Sequence, residues 1–288
     1  MSIGGVMSGI NHSLNNLNRA QSTQASSIQR ISTGSKYYSP ANGASEYAIV
    51  QRIYNNIGSV AQSNSNTQTS NSMLNVAAGA VGNTVSSLSS LKQTLINAAN
   101  GTNQNSDIGA LQETVNQTLS QINSNAQVKY NGQNLLDGSQ SVQVATYNGY
   151  ETVNLGDMST VGLGLTDSDG NSNINLGDFS DLGSAIETVD NALNAALDQA
   201  TNIGAAQSGL EYQSGNYTVM EENLYDAVST VDDTDIAAEA VNNASSGAQS
   251  QVALWAVKQG MQSLSQEVGA LGGLNNHSRG AIYGIFGQ

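Results

Sequence analysis

Apolar side chains in the first thirty residues recur at alternating intervals of four and three. Ile3, Met7, Ile10, Leu14 and Leu17 begin the series, which passes through polar Gln21 and Gln24 and resumes at Ile28 and Ile31. That heptad predicts one long amphipathic helix with a seam for a partner helix. It should stop at Ser32-Thr33-Gly34, because the only proline, Pro40, sits in Ser39-Pro40-Ala41-Asn42-Gly43, which is turn chemistry throughout. From about Ala44 a second helical pattern runs through Val50, Ile53, Ile57 and Val60. It crosses an Asn/Ser/Thr stretch and continues with Leu74, Ala78, Val81, Val85, Leu88, Leu91 and Leu95 to a break at Asn100-Gly101. Such a helix would be about 75 Å long, a rod that needs others to pack along.

A third helix is expected from Ser106 or Asp107 to about Gln127, followed by a turn at Asn131-Gly132. Between Gln140 and Leu165 the period changes to two. Val142, Val144 and Thr146, then Thr152 to Leu155, read as strands split by the hairpin signal Asn148-Gly149. The heptad then returns at Ile186, Val189, Leu193, Ala196, Ala200, Ile203, Gln207 and Leu210, and goes on through Tyr217, Leu224, Val228 and Val231. A last helix carries Leu254, Val257, Met261, Leu264, Val268 and Leu271, with an end expected at Gly272-Gly273 and an aperiodic tail beyond. The predicted fold is mainly α: long N- and C-terminal helices packed as an antiparallel coiled-coil bundle around a small middle region with β-hairpins.

Composition removes several functions. Only 10% of the 288 residues are charged, and 22 acidic against 8 scattered basic residues give a net charge of -14. Nucleic-acid binding needs clustered Lys and Arg, so that partner is excluded. No cysteine is present, which rules out disulfides and thiolate chemistry. The start, MSIGGVMSGINHSLNN, lacks the basic and apolar regions of a secretory signal, and no apolar run predicts membrane insertion. His12 and His277 have no metal-ligand neighbours, and Glu221-Glu222 and Asp232-Asp233 read as solvated helix charges. No nucleophile elbow, phosphate loop or zinc motif occurs, so the expected chain is not an enzyme and has no required cofactor. Helices so poor in charge and rich in small polar residues leave seams that call for assembly.

One local motif stands out. Asp167, Asp169, Asn171, Asn173 and Asp178 place oxygen side chains in a twelve-residue loop that resembles EF-hand and dockerin calcium loops. Ser172 stands where the sharp turn wants glycine, and Asp178 is shorter than the usual glutamate. Calcium is the one candidate ligand, and a polar surface loop is the alternative reading.

Taken in order, several stretches are similar to bacterial flagellin. They are Asn16-Leu17-Asn18-Arg19 through Ile28-Gln29-Arg30-Ile31-Ser32-Thr33-Gly34, the Ser39 to Glu46 corner, Ala99-Asn100-Gly101-Thr102-Asn103, and Tyr130-Asn131-Gly132-Gln133-Asn134-Leu135-Leu136-Asp137-Gly138. In the second half Ile203-Gly204-Ala205-Ala206-Gln207 and Glu222-Asn223-Leu224 through Asp233-Thr234-Asp235 with Glu239 continue the match. The resemblance implies a structural subunit that polymerises with itself into an extracellular helical filament for motility. It also implies unfolded export through the flagellar type III apparatus, and contact with an export chaperone and with cap and junction proteins.

The implied organisation is a core helix and turn in 1–45, a helical rod in 46–140, a small outer region in 141–183, the rod's second half in 184–235, and a core helix with tail in 236–288. Self-assembly would fall to Ile10, Leu14, Leu17, Ile28 and Ile31 with Leu254, Val257, Met261 and Leu264. The resemblance also places Ser90 and Thr114 where stimulatory flagellins present an Arg and a Glu to the vertebrate flagellin receptor, which implies weak or no receptor activation. The family's basic residues are largely missing: Ser208-Gly209 follows Gln207 where Asn-Arg is usual, and Thr230 is neutral. From Asn242 onward the family's Lys/Gln-rich pattern is gone, and Gly280 to Gln288 form an atypical apolar ending. A hook-filament junction protein, which shares the terminal helices, is the nearest rival reading, and a calcium-dependent adhesin a more distant one.

Overall fold

The computed structural model describes residues 3–286 except Gln140, Asn148 and 178–180, and gives no side-chain account of Ile3, Ala145 or 272–286. Five helices and two small antiparallel hairpins follow in the order α1 (Ile3–Thr33), α2 (Ala44–Ala98), α3 (Asn105–Ala126), β1 (Lys129–Tyr130), β2 (Gln133–Asn134), β3 (Ser141–Thr146), β4 (Gly149–Asn154), α4 (Leu182–Asp232) and α5 (Ile236–Phe286). The chain forms two compact units. One consists of residues 1–54 with 226–288, and the other of residues 55–225.

Local chemistry fixes most boundaries. Gly34 takes a left-handed φ of 72° after α1, and its N–H donates to the Arg30 carbonyl, the usual way a helix closes on glycine. Pro40 opens a single 3-10 turn, Pro40–Asn42, before α2 begins. Asp107 reaches back to accept a hydrogen bond from the Gln104 N–H at 3.0 Å, so α3 starts at Asn105, just before the expected Ser106. Asn131 and Gly132, at φ 51° and 81°, make the two-residue turn between β1 and β2. The Gly272-Gly273 pair does not end α5, which runs on to Phe286. Two glycines cost a helix about 1 kcal/mol each relative to alanine, and without a proline behind them that does not suffice to break it.

The hydrophobic core lies in the 55–225 unit. Leu74, Leu88, Leu91 and Leu95 of α2, Ile122 of α3, and Ile203 and Leu210 of α4 are almost fully buried there. Val142 and Val153 sit opposite each other in the β3–β4 hairpin and close one side. The strand-like pattern expected as far as Leu165 ends at Asn154. Residues 155–177 instead form a loop that inserts Leu155, Met158, Leu163, Leu165, Ile174 and Leu176 into the core.

Three amide side chains pin that loop. Gln199 of α4 accepts from the Gly156 N–H at 3.1 Å, and Asn123 of α3 accepts from the N–H and hydroxyl of Thr160 at 2.9 and 3.0 Å. Gln112 accepts from the Leu176 N–H at 2.9 Å and donates to the Ile174 carbonyl at 3.2 Å. Backbone groups that a strand would satisfy through a ladder are satisfied here by side chains.

Candidate assembly surface

In the unit of residues 1–54 and 226–288, α1 and α5 pack along each other. The pair is antiparallel: Arg30 near the end of α1 meets Glu239 near the start of α5, while Ile10 meets Gly260. The residues turned inward on α1 are Val6, Ile10, Ser13, Leu17, Ala20, Gln24, Ser27 and Ile31. On α5 they are Glu239, Asn243, Ser246, Ser250, Ala253, Val257, Gly260, Leu264 and Glu267. Both series keep intervals of four and three, the signature of a coiled-coil seam.

The observed seam is offset from the predicted one. Ile10, Leu17 and Ile31 of α1, and Val257 and Leu264 of α5, occupy it as expected. The other column does not hold the large residues Met7, Leu14 and Ile28, or Leu254, Met261 and Val268. It holds their N-terminal neighbours Val6, Ser13 and Ser27, and Ala253, Gly260 and Glu267, all but Glu267 smaller than the residue beside them. The reason is steric. A Cβ on Gly260 would stand 2.6 Å from Ile10 Cγ1, so at that point a larger residue would force the helices to shift.

The displaced large residues are left facing outward. Met7 is 52% exposed, Ile28 50%, Leu254 58% and Met261 60%, and Trp255 reaches 64%. In α4 the same offset occurs with a different outcome. Ala185, Ala192 and Gln199 take the seam, while Ile186, Leu193 and Ala200 beside it are packed against the core of their own unit. Two grooves of about 470 and 830 Å³ run between α1 and α5, the first lined by Val6, Ile10, Trp255 and Gly260, the second by Asn16, Ala20, Ser245 and Val252 among others.

Polar contacts hold the corner between α1 and α2. Asp232, at the end of α4 and almost fully buried, accepts from the Ser35 hydroxyl at 2.6 Å and the Tyr37 N–H at 3.1 Å, and its carbonyl accepts from the Lys36 N–H at 2.6 Å. Glu239, also buried, accepts from Arg30 at 2.9 Å. Hydrogen bonding by Ser27 and by Arg30 holds the Glu239 carboxyl below its ordinary value of 4.5, outweighing the cost of burial. The helical pattern predicts Asp232 to be a solvated charge. Its burial was hidden because the partner backbone lies almost two hundred residues away.

The other predicted residues fall elsewhere. Ser90 and Thr114 are both exposed and share one groove between α2 and α3, lined by Ser86, Ser87, Gln117, Thr118 and Gln121. In the Asp167 loop, the carboxylate accepts from the N–H groups of Asp169 and Asn171 and from the Asn171 side chain at 2.7 to 3.0 Å. Asn173 donates to the Gly164 carbonyl, and Asp178 lies outside the described residues. Those hydrogen bonds, the Asn171 side chain first, hold Asp167 below the usual carboxylate range. Among the described residues no group of three or more His, Asp or Glu is placed to hold a metal ion. No described helix is long and apolar enough to cross a membrane.

Residues 8–141 match the bacterial flagellin N-terminal helical region, and residues 186–271 the bacterial flagellin C-terminal helical region, together well over half the chain; the second match runs on past Asn242, where the sequence was expected to leave the family pattern. The chain belongs to the bacterial flagellin family. It is 34% identical to Flagellin 1 of Proteus mirabilis over 143 residues, which is 48% of this chain and 39% of that protein. It is 32% identical to the Flagellin of Escherichia coli O127:H6 over 155 residues, 52% of this chain and 28% of that protein. The chain therefore spans well under half the length of these flagellins. In fold it is similar to a flagellar hook-associated protein from Vibrio parahaemolyticus, with a TM-score of 0.58 at 14% identity over 67% of this chain and all of that one. At that identity the likeness is one of fold.

Proposed function

We propose that this flagellin-family chain is a structural, non-enzymatic subunit that polymerises with copies of itself into an extracellular flagellar filament serving motility. The observation that carries the reading is the outward column of Met7, Leu14, Ile28, Leu254, Met261 and Val268. In α4 the matching column, Ile186, Leu193 and Ala200, packs against the core of its own unit, whereas here large apolar side chains stand exposed at heptad spacing on both helices of a pair. Apolar stripes of that regularity are the form a helix pair takes when further helices of the same kind complete it. Family membership supports reading those helices as ones from neighbouring subunits.

The double variant Leu254→Gln with Met261→Gln tests this. Its monomer should keep the helix content and melting temperature of the parent by circular dichroism, and form no filaments by negative-stain electron microscopy under conditions where the parent does. Filaments of normal yield from the variant would remove the role assigned to the column. A hook-filament junction subunit is the second reading, favoured by the fold shared with the Vibrio hook-associated protein. It predicts that the parent chain itself never extends into long filaments.

Partners follow at the same level of proposal: an export chaperone during type III secretion, and cap and junction proteins at the filament ends. The Ser90 and Thr114 groove presents only hydroxyl and amide side chains, and a receptor that reads an Arg and a Glu there finds neither charge. Each charge missing from this side leaves its receptor partner unpaired, a cost on the order of 2–5 kcal/mol of binding, so weak or no activation of the vertebrate flagellin receptor is expected. A receptor-reporter assay checks it, and a response equal to that of a stimulatory flagellin would overturn it.

A further inference from the structure

The chain has no cysteine, so its sulfur is confined to 6 methionines, and peroxides react with those thioethers according to their exposure. Met158 is buried and Met73 packs against the core of the 55–225 unit, which shields both. Met7 and Met261 are each more than half exposed, and Met220 on α4 less so. The two most exposed of the described methionines thus both stand on the apolar column of the α1/α5 pair.

Their heptad positions bring them together. Met7 follows the seam residue Val6 and Met261 follows Gly260, each a seam position after which the next interval is four. Equivalent positions on the two helices of an antiparallel pair fall on one side of it. The grooves obey the same rule on the opposite side. They are lined by Gly9, Asn16 and Thr23 together with Asn242, Gln249 and Ala256, each the residue just before a seam position. Ile10 stands against Gly260, so Met7 and Met261 lie within about 5 Å of each other along the axis of the pair. Leu14, Ile28, Leu254 and Val268 share that side, all of them exposed.

We propose, resting on the self-assembly role given above, that Met7 and Met261 form an oxidation site that switches polymerisation off in the free subunit. The oxidant is hydrogen peroxide. One of its oxygens passes to the thioether sulfur, an S–O bond forms as the O–O bond breaks, and the peroxide leaves as water. The sulfoxide is polar, and a neighbour that covers the column with apolar side chains gives it no hydrogen-bond donor, so the oxidised face stays in water. The monomer keeps its fold because both side chains already face solvent. Methionine sulfoxide reductases reverse the change.

The full chain, treated as monomer with hydrogen peroxide and mapped by peptide mass spectrometry, tests this. It should carry sulfoxide at Met7 and Met261 before Met73 and Met158, and keep its circular dichroism spectrum. Its seeded polymerisation, followed by light scattering, should be at least about fivefold slower than that of untreated chain. Reduction with methionine sulfoxide reductases A and B should restore the rate. Met7→Leu with Met261→Leu should polymerise equally fast before and after peroxide, although Met220 is still oxidised. An untreated parent that never polymerises overturns the self-assembly reading, and this proposal with it. An untreated parent that polymerises, and does so equally fast once both residues are sulfoxides, overturns this proposal alone. So does peroxide sensitivity that persists in the variant.

Discussion

Glu239 shows how one side chain ties pH to the α1/α5 pair. Its carboxyl titrates below the ordinary value because Ser27 and Arg30 favour the ionised form. Ionised Glu239 therefore stabilises the folded pair above the unfolded-state value, and that contribution is lost as pH falls through the lowered folded value. Thermal melts followed by circular dichroism should show stability declining as pH falls below 4.5, and the decline should be shallower in Glu239→Gln. An identical pH slope in the variant would mean that other carboxylates carry the effect. Gly260 makes the complementary case for size. With Ile10 against its backbone, Gly260→Leu should cost about 1–3 kcal/mol through overpacking, read as a drop in the melting temperature of the monomer.

At the scale of elements, helices, turns and hairpins were legible in the sequence because each rests on local chemistry. Gly34 and Pro40 punctuate the first corner, and Asn131-Gly132 turns a hairpin. Which face of a helix meets its partner was only half legible. Apolarity favours the column of Met7, Leu14 and Ile28, whereas close packing favours the adjacent column with Ser13, Ala20 and Ser27, and steric fit decides. The same one-residue offset in α1, α4 and α5 shows that the deciding quantity is the distance between helices, which a single sequence does not display. Leu88 belongs to the part that apolarity does predict. Leu88→Ala should lower stability by about 2–5 kcal/mol in denaturant melts, because it opens a cavity among almost fully buried neighbours. Leu254→Ala, on the exposed column, should change it by less than about 0.5 kcal/mol.

The whole molecule divides its chemistry unevenly. Residues 55–225 bury a leucine-rich core beneath a loop held by Gln112, Asn123 and Gln199, while the α1/α5 pair buries little beyond alanine, serine and valine. The pinned loop bears on anyone who would use this chain to carry foreign sequence. Residues 155–177 form an irregular segment, the natural first choice for a graft, yet they supply six apolar side chains to the core. A peptide spliced there would uncap the unit it was meant to decorate. Residues Gly149 to Thr152 at the start of β4 are all exposed, Tyr150 by 79%, and there cargo could be displayed with the core left closed.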